Sequence, residues 1–211
     1  MKIIKNLPPI IQKMLKSAFL LSIFVIVGIV LLLITKKVTS PTIEKAKIAE
    51  MKQAFNQVLD KKLYDNIPFE DKKIITDINA FKTKLPITIY RARKNKKPAA
   101  LIIETIAPDG YSGNIKIMIA ITIDKRISGV RVLEHKETPG LGDKIEIRKN
   151  NWITKFNGLS LRDDNLASWR VKKDGGQFEQ FTGATITPRA IVKAIKNSLI
   201  YVNEHGEKLY D

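Results

Sequence analysis

The sequence predicts an α+β protein: a single N-terminal transmembrane helix, then one exported domain in which helices pack on an antiparallel sheet. Three observations predict it. Residues 17–35, "SAFLLSIFVIVGIVLLLIT", carry no charge. Ile115, Ile117, Ile119, Ile121 and Ile123 alternate with Lys116, Met118, Ala120 and Thr122, the period of a half-buried strand. Ile191, Val192, Ile195, Leu199 and Val202 recur at helical spacing near the C-terminus. At 211 residues the chain is long enough for one anchor and one domain with its own core.

At about 1.5 Å per residue, the uncharged run spans most of a ~30 Å hydrocarbon layer. It is longer than the roughly 7–15-residue core of a cleaved signal peptide, and no small-x-small site follows it, so a retained helix is predicted. Residues 1–16 carry four lysines and residues 36–50 carry four, a near tie under the positive-inside rule. The free amino terminus and the shortness of the leading segment lead to the expectation of an N-terminus in the cytoplasm and a domain outside the inner membrane. The predicted divisions are 1–16 (cytoplasmic segment), 17–35 (span), 36–82 (juxtamembrane helix and connector) and 83–211 (domain).

After Ser40–Pro41, Ile43, Ala46, Ile48, Ala49, Met51, Ala54, Phe55, Val58 and Leu59 recur at mostly helical spacing. They predict a juxtamembrane helix packed on the domain. Residues 66–82 read as a polar connector. The stretch "ITIYRARKNKKPAALIIETIAP" reads as strand, turn, strand, with Lys94 to Lys97 at a solvated hairpin tip. The alternating strand follows, then a turn at Asp124–Arg126, then an antiparallel partner from Ile127 to Leu133 with a bulge at Gly129. Turn formers dominate "EHKETPGLGD". Residues 152–161 are ambiguous, residues 161–173 read as an irregular connection ending in a short strand, and residues 174–181 read as a loop. The last helix is predicted from Pro188 to about His205, stopped by Gly206.

The composition excludes several classes. The net charge of +16 invites a nucleic-acid reading, but the lysines are scattered and no helix-turn-helix, RNP-like or zinc-finger pattern accompanies them, so no nucleic-acid partner is expected. The absence of cysteine removes disulfides, cysteine-ligated clusters and thiol nucleophiles. His135 and His205 form no spaced pair, so no metal is expected; His135 reads as a structural histidine at a strand end.

The stretch "EQFTGATIT", residues 179–187, sets Gly183 and Ala184 among the hydroxyls of Thr182, Thr185 and Thr187, just before Pro188. Thr187 is a good N-cap, and Pro188 suits the first helical position. The helix start would then present unpaired amides and a positive partial charge toward residues 183–185, with Arg189 and Lys193 adding full charges. The small residues leave room for a bulky group, and the arrangement could hold a phosphate beside a threonine hydroxyl. Taken alone, the string is also an ordinary helix entry, and Glu137-Thr138-Pro139-Gly140-Leu141-Gly142 is also an ordinary Pro-Gly turn.

The uncharged span, "GYSGNI", the hairpin, "HKETPGLGDKI" and "FTGATITPRAIVKAI" occur in that order. In this the chain resembles the FMN-binding G subunit of the Rnf (or Rsx) electron transport complex. It is also similar to the C subunit of the sodium-pumping NADH:quinone reductase, although the Pro-Arg-Ala continuation looks more like the former. The resemblance covers about two thirds of the chain. It implies FMN joined by a flavin transferase, through a phosphoester, to Thr185, the last residue of the Ser/Thr-Gly-Ala-Thr motif. The family usually has aspartate where this chain has Glu179.

The resemblance also implies that residues 137–142 lie against the flavin ring, with the amides of Gly140 and Gly142 toward its carbonyls and Leu141 over a face. Tyr111, Ser112 and Gly113 are further expected contacts. The chain has no nicotinamide-binding glycine fingerprint. It is expected to be one relay subunit of a bacterial inner-membrane complex that couples electron transfer between NADH and ferredoxin-type carriers to ion movement. The alternatives are the quinone-reductase subunit, or a flavin-free anchored binding or scaffold domain.

Overall fold

The computed structural model describes residues 8–210; the leading residues through 7 and the final residue lie outside it. The chain divides into two units between Glu50 and Met51. Helix α1, Pro9–Val58, runs for 50 residues, is long and apolar enough to cross a membrane, and leaves its apolar side chains from Phe19 to Ile34 exposed. The sequence predicts a separate helix after Ser40–Pro41, but α1 continues through Pro41. A proline inside a helix deletes one amide and crowds the preceding turn. Here the Lys, Glu, Ala, Met and Gln residues that follow favour helix. The hydroxyls of Thr39 and Ser40 also donate to the carbonyls of Thr35 and Lys36, at 2.8 and 2.6 Å.

The second unit is built on a five-stranded antiparallel meander in the order β1 (Lys72–Ile75), β2 (Ile87–Lys94), β3 (Lys97–Gly110), β4 (Gly113–Thr122), β5 (Ile127–Glu134). The short helix α2 (Ile78–Phe81) joins β1 to β2. The segment predicted as a polar connector therefore holds an edge strand and a helix of four residues each, too short for periodicity to reveal. The β2–β3 hairpin turns on Asn95 and Lys96, both at positive φ, as a tight two-residue hairpin turn requires. The register slips between Ala120/Ile121 on β4 and Gly129/Ile127 on β5, which bulges β5 beside Gly129.

Helix α3, Ile186–His205, covers one face of the sheet. Leu101, Ile103, Ile115, Ile117, Ile119, Ile191, Ile195 and Leu199 belong to one buried cluster there. Residues 142–181, mostly 3₁₀ turns, complete this core with an aromatic group. Trp152 packs edge-on against Phe156 and Phe181, at centroid distances of 5.2 and 5.3 Å, and Phe156 stacks on Phe178 at 4.6 Å.

The opposite face is covered by the last turns of α1. Ala54, Phe55, Val58 and Leu59 are buried with Tyr90, Ala92, Ala100, Ile102, Met118 and Ala120. So the middle of β4 is buried on both faces, where its alternation predicts burial on one. The missing signal is that Met118 and Ala120 are apolar enough to face either a core or solvent.

Candidate functional site

The three segments singled out by sequence meet at one carboxylate. Glu137 lies in the loop after β5 and is 4% exposed. Its Oε1 accepts the backbone N–H of Ser112, in the β3–β4 turn, at 2.9 Å. Its Oε2 accepts the hydroxyl of Thr187, in the first turn of α3. Two glycines make the junction possible. A Cβ on Gly110 would lie 2.2 Å from the carbonyl oxygen of Gly113, and one on Gly142 would lie 2.9 Å from Glu137 Cβ and 3.0 Å from Thr187 Oγ1. A burial this complete is tolerable for a carboxylate because donors meet both of its oxygens.

The loop is braced from behind. The backbone N–H of Glu137 donates to His135 Nδ1 at 3.0 Å, and His135 Nε2 lies 3.0 Å from Glu146 Oε1. Asp143, buried at the start of the following 3₁₀ turn, accepts the Gly140 N–H at 2.9 Å. The amides of Leu141 and Gly142 both donate to the carbonyl of Thr138, at 3.2 and 3.0 Å. The expected availability of the Gly140 and Gly142 amides is thus corrected: both are engaged inside the loop, because the tight turn closes on itself. Thr138 and Gly140 are exposed on its rim, and the Leu141 side chain projects with 44% exposure.

The start of α3 also differs from expectation. Thr185, not Thr187, occupies the N-cap position, and its side chain makes no capping hydrogen bond. Thr187 is the second helical residue and is 1% exposed, because its hydroxyl is drawn inward to Glu137. Pro188 falls third rather than first, which the helix accepts since the first amides have no intrahelical acceptor. Gly183 has φ +80°, and its missing Cβ would sit 3.7 Å from Leu141 Cδ2. The "TGAT" and "TPGLG" segments are therefore neighbours. Ala184 and Thr185 are half-buried, and Thr182 and Gly183 are exposed. Large apolar side chains are exposed in all three segments: Tyr111 at 69%, Leu141 and Ile186 at 44%. In the β3–β4 turn, Ser112 and Gly113 are exposed.

Arg189 and Lys193 do not contribute uncompensated charge. Arg189 makes two bonds to Asp174, at 2.6 and 2.8 Å, and these hold the Asp174 carboxyl below the usual range. Lys193 pairs with Asp109. Glu179 pairs with Lys172, whose hydrogen bond lowers its carboxyl in the same way. The backbone carbonyl of Glu179 accepts the Trp152 indole N–H at 2.8 Å, so the approach to the helix is fixed to the aromatic core. Sequence reasoning missed Asp143, Asp109 and Asp174, which had no motif to mark them. It also missed the bracing role of His135, whose only signal was its place two residues before Glu137.

The FMN-binding domain family matches residues 110–200, a stretch that contains all three segments. The RnfG N-terminal region matches residues 1–58, ending where α1 ends. The chain is 45% identical over 198 residues to the G subunit of an ion-translocating oxidoreductase complex from Shewanella piezotolerans, covering 94% of this chain and 93% of that protein. It is 43% identical over 196 residues to the protein of the same name from Vibrio cholerae, covering 93% of each. The Pseudoalteromonas atlantica protein of that name is 41% identical over 199 residues, covering 94% of this chain and 93% of its own length.

Proposed function

The chain belongs to the G-subunit family of ion-translocating oxidoreductase complexes, and from that premise we propose that Thr185 carries FMN through a phosphoester. The protein is an electron-relay subunit with an FMN-binding domain. The observation that supports the attachment point is the position of Thr185. It is the N-cap of a 20-residue helix, and its hydroxyl is committed to no cap.

The residues fit the group. The start of α3 offers a positive partial charge and amides without intrahelical acceptors to an ester phosphate. Gly183 leaves open space above the backbone, bounded by Leu141. With Arg189 and Lys193 paired elsewhere, the helix start carries the electrostatic part. Leu141, Ile186 and Tyr111 supply apolar surface that can cover a flat ring and exclude water from it. Glu137 fixes the three segments relative to one another. Bound FMN supplies the reversible electron chemistry; the protein supplies placement and electrostatic tuning. A flavin transferase is the maturation partner, and the other subunits of the complex are the electron-transfer partners. The N-terminus lies in the cytoplasm of a bacterial cell and the domain on the periplasmic side of its inner membrane.

The test is the protein produced with its transferase, denatured and run on a gel. Flavin fluorescence stays with the wild-type band and is lost in Thr185→Ala, while Arg189→Ala remains labelled. Label persisting in Thr185→Ala, with the intact mass still raised, overturns the assignment. Absence of label in the wild type overturns covalent attachment altogether.

A further inference from the structure

His135 is buried enough to have a defined role, and its two ring nitrogens face different partners. Its side chain is 13% exposed. Nδ1 receives the backbone N–H of Glu137 at 3.0 Å. A nitrogen that accepts an N–H carries no proton of its own, so the neutral ring bears its hydrogen on Nε2 and donates it to Glu146 Oε1. We propose that His135 is a positioning residue for the flavin site: as an acceptor it fixes the Glu137 backbone, and through it the carboxylate that joins the 111–113 turn to α3. Loss of this acceptor leaves a buried amide unpaired, which loosens Glu137.

Glu146, which meets the other ring nitrogen, also faces Arg148 at 3.4 Å. On the histidine's own segment stand Glu134, Lys136 and Glu137, with Lys116 of β4 paired in register opposite Glu134. From α3 the neutral Thr187 hydroxyl reaches Glu137. Among the described residues no acceptor other than Nδ1 meets the Glu137 amide, so nothing replaces that bond when the ring is removed. The contact spans residues i and i+2, the same span in which an asparagine side-chain oxygen accepts in an Asx turn. His135→Asn can therefore keep the acceptor, whereas His135→Leu removes it.

This inference rests on the flavin reading for its consequence but not for its geometry, and the test separates the two. The chain has two histidines, so ¹⁵N-histidine labelling of the full-length protein in detergent gives two ring systems, assigned with His205→Gln. The His135 ring is expected as the Nε2–H tautomer, a measurement that needs no flavin. In flavin-loaded protein, fluorescence anisotropy is expected to be lower in His135→Leu than in the wild type, while His135→Asn holds the wild-type value. The Nδ1–H tautomer, a His135→Leu value equal to that of the wild type, or a His135→Asn value as low as that of His135→Leu each overturns the proposal. A chain without covalent flavin fails the earlier reading and leaves the tautomer measurement to decide this one.

Discussion

At the scale of single residues, the site depends most on how the two oxygens of Glu137 are satisfied. Glu137→Ala removes both acceptors, leaving the Ser112 N–H and the Thr187 hydroxyl unpaired. At roughly 1–3 kcal/mol for each abandoned buried group, the loss should be about 3 kcal/mol. Glu137→Gln is expected to be milder, about 1 kcal/mol, for a reason specific to its partners. The amide oxygen can still take the Ser112 N–H, and the Thr187 hydroxyl can rotate to accept from the amide nitrogen, since a hydroxyl both donates and accepts. Urea unfolding of the three proteins gives the order wild type, Gln, Ala. A glutamine variant as unstable as the alanine one would show that the negative charge, rather than the hydrogen-bond pattern, holds the junction.

At the scale of elements, Gly129 lets the end of α1 rest on the sheet. A Cβ there would lie 2.8 Å from Val58 Cα and from the Val58 carbonyl oxygen, backbone atoms that cannot rotate away. Gly129→Ala should cost about 1–3 kcal/mol by pushing Phe55 and Val58 out of contact with the sheet. Gly28→Ala, with nothing within 4 Å, is the silent comparison. Thermal unfolding checks both, and equal midpoints for the two variants would refute the close packing. The elements legible in the sequence were those with enough repeats of a period. These are β4 with its four alternating isoleucines, Ile115 to Ile121, the hairpins around it, and α3 with its apolar stripe. β1 and α2 were hidden by length. The continuity of α1 was hidden because proline is a local signal, whereas the helix is set by the many residues on either side of it. The sequence also placed a bulge at Gly129, but the close approach of Val58 depends on a helix far away in the chain.

At the scale of the whole molecule, the motifs were legible one by one but their common centre was not. Glu137 bonds partners 25 and 50 residues away, separations at which a single sequence carries no pairing signal. The chain's end shows the same kind of long-range closure. Lys73, Arg91 and Arg93 donate to the carbonyls of Lys208, Leu209 and Tyr210 at 3.2, 2.6 and 2.7 Å. Asp71 holds both guanidiniums in place, at 3.0 Å from Arg91 and 2.7 Å from Arg93. Burial alone would raise the Asp71 carboxyl, but the hydrogen bonds and charges of Arg93 and Arg91 outweigh it and set it below the ordinary value. The sign of the pH effect follows. A carboxyl depressed in the folded state contributes stability that is full above its unfolded value near 4 and is lost as pH falls through the lower folded value. Asp71→Asn removes the charge and keeps the shape. It should be less stable than the wild type at pH 7 by about 2 kcal/mol, the scale of hydrogen bonds to a charged group. Once the pH has fallen through the lowered folded value the two proteins should converge, because the wild-type side chain is then neutral as well. Urea unfolding at pH 7 and in acid measures the gap directly. A gap of the same size at both would mean that Asp71 anchors the C-terminal residues through shape alone, and that the charges of Arg91 and Arg93 are balanced elsewhere.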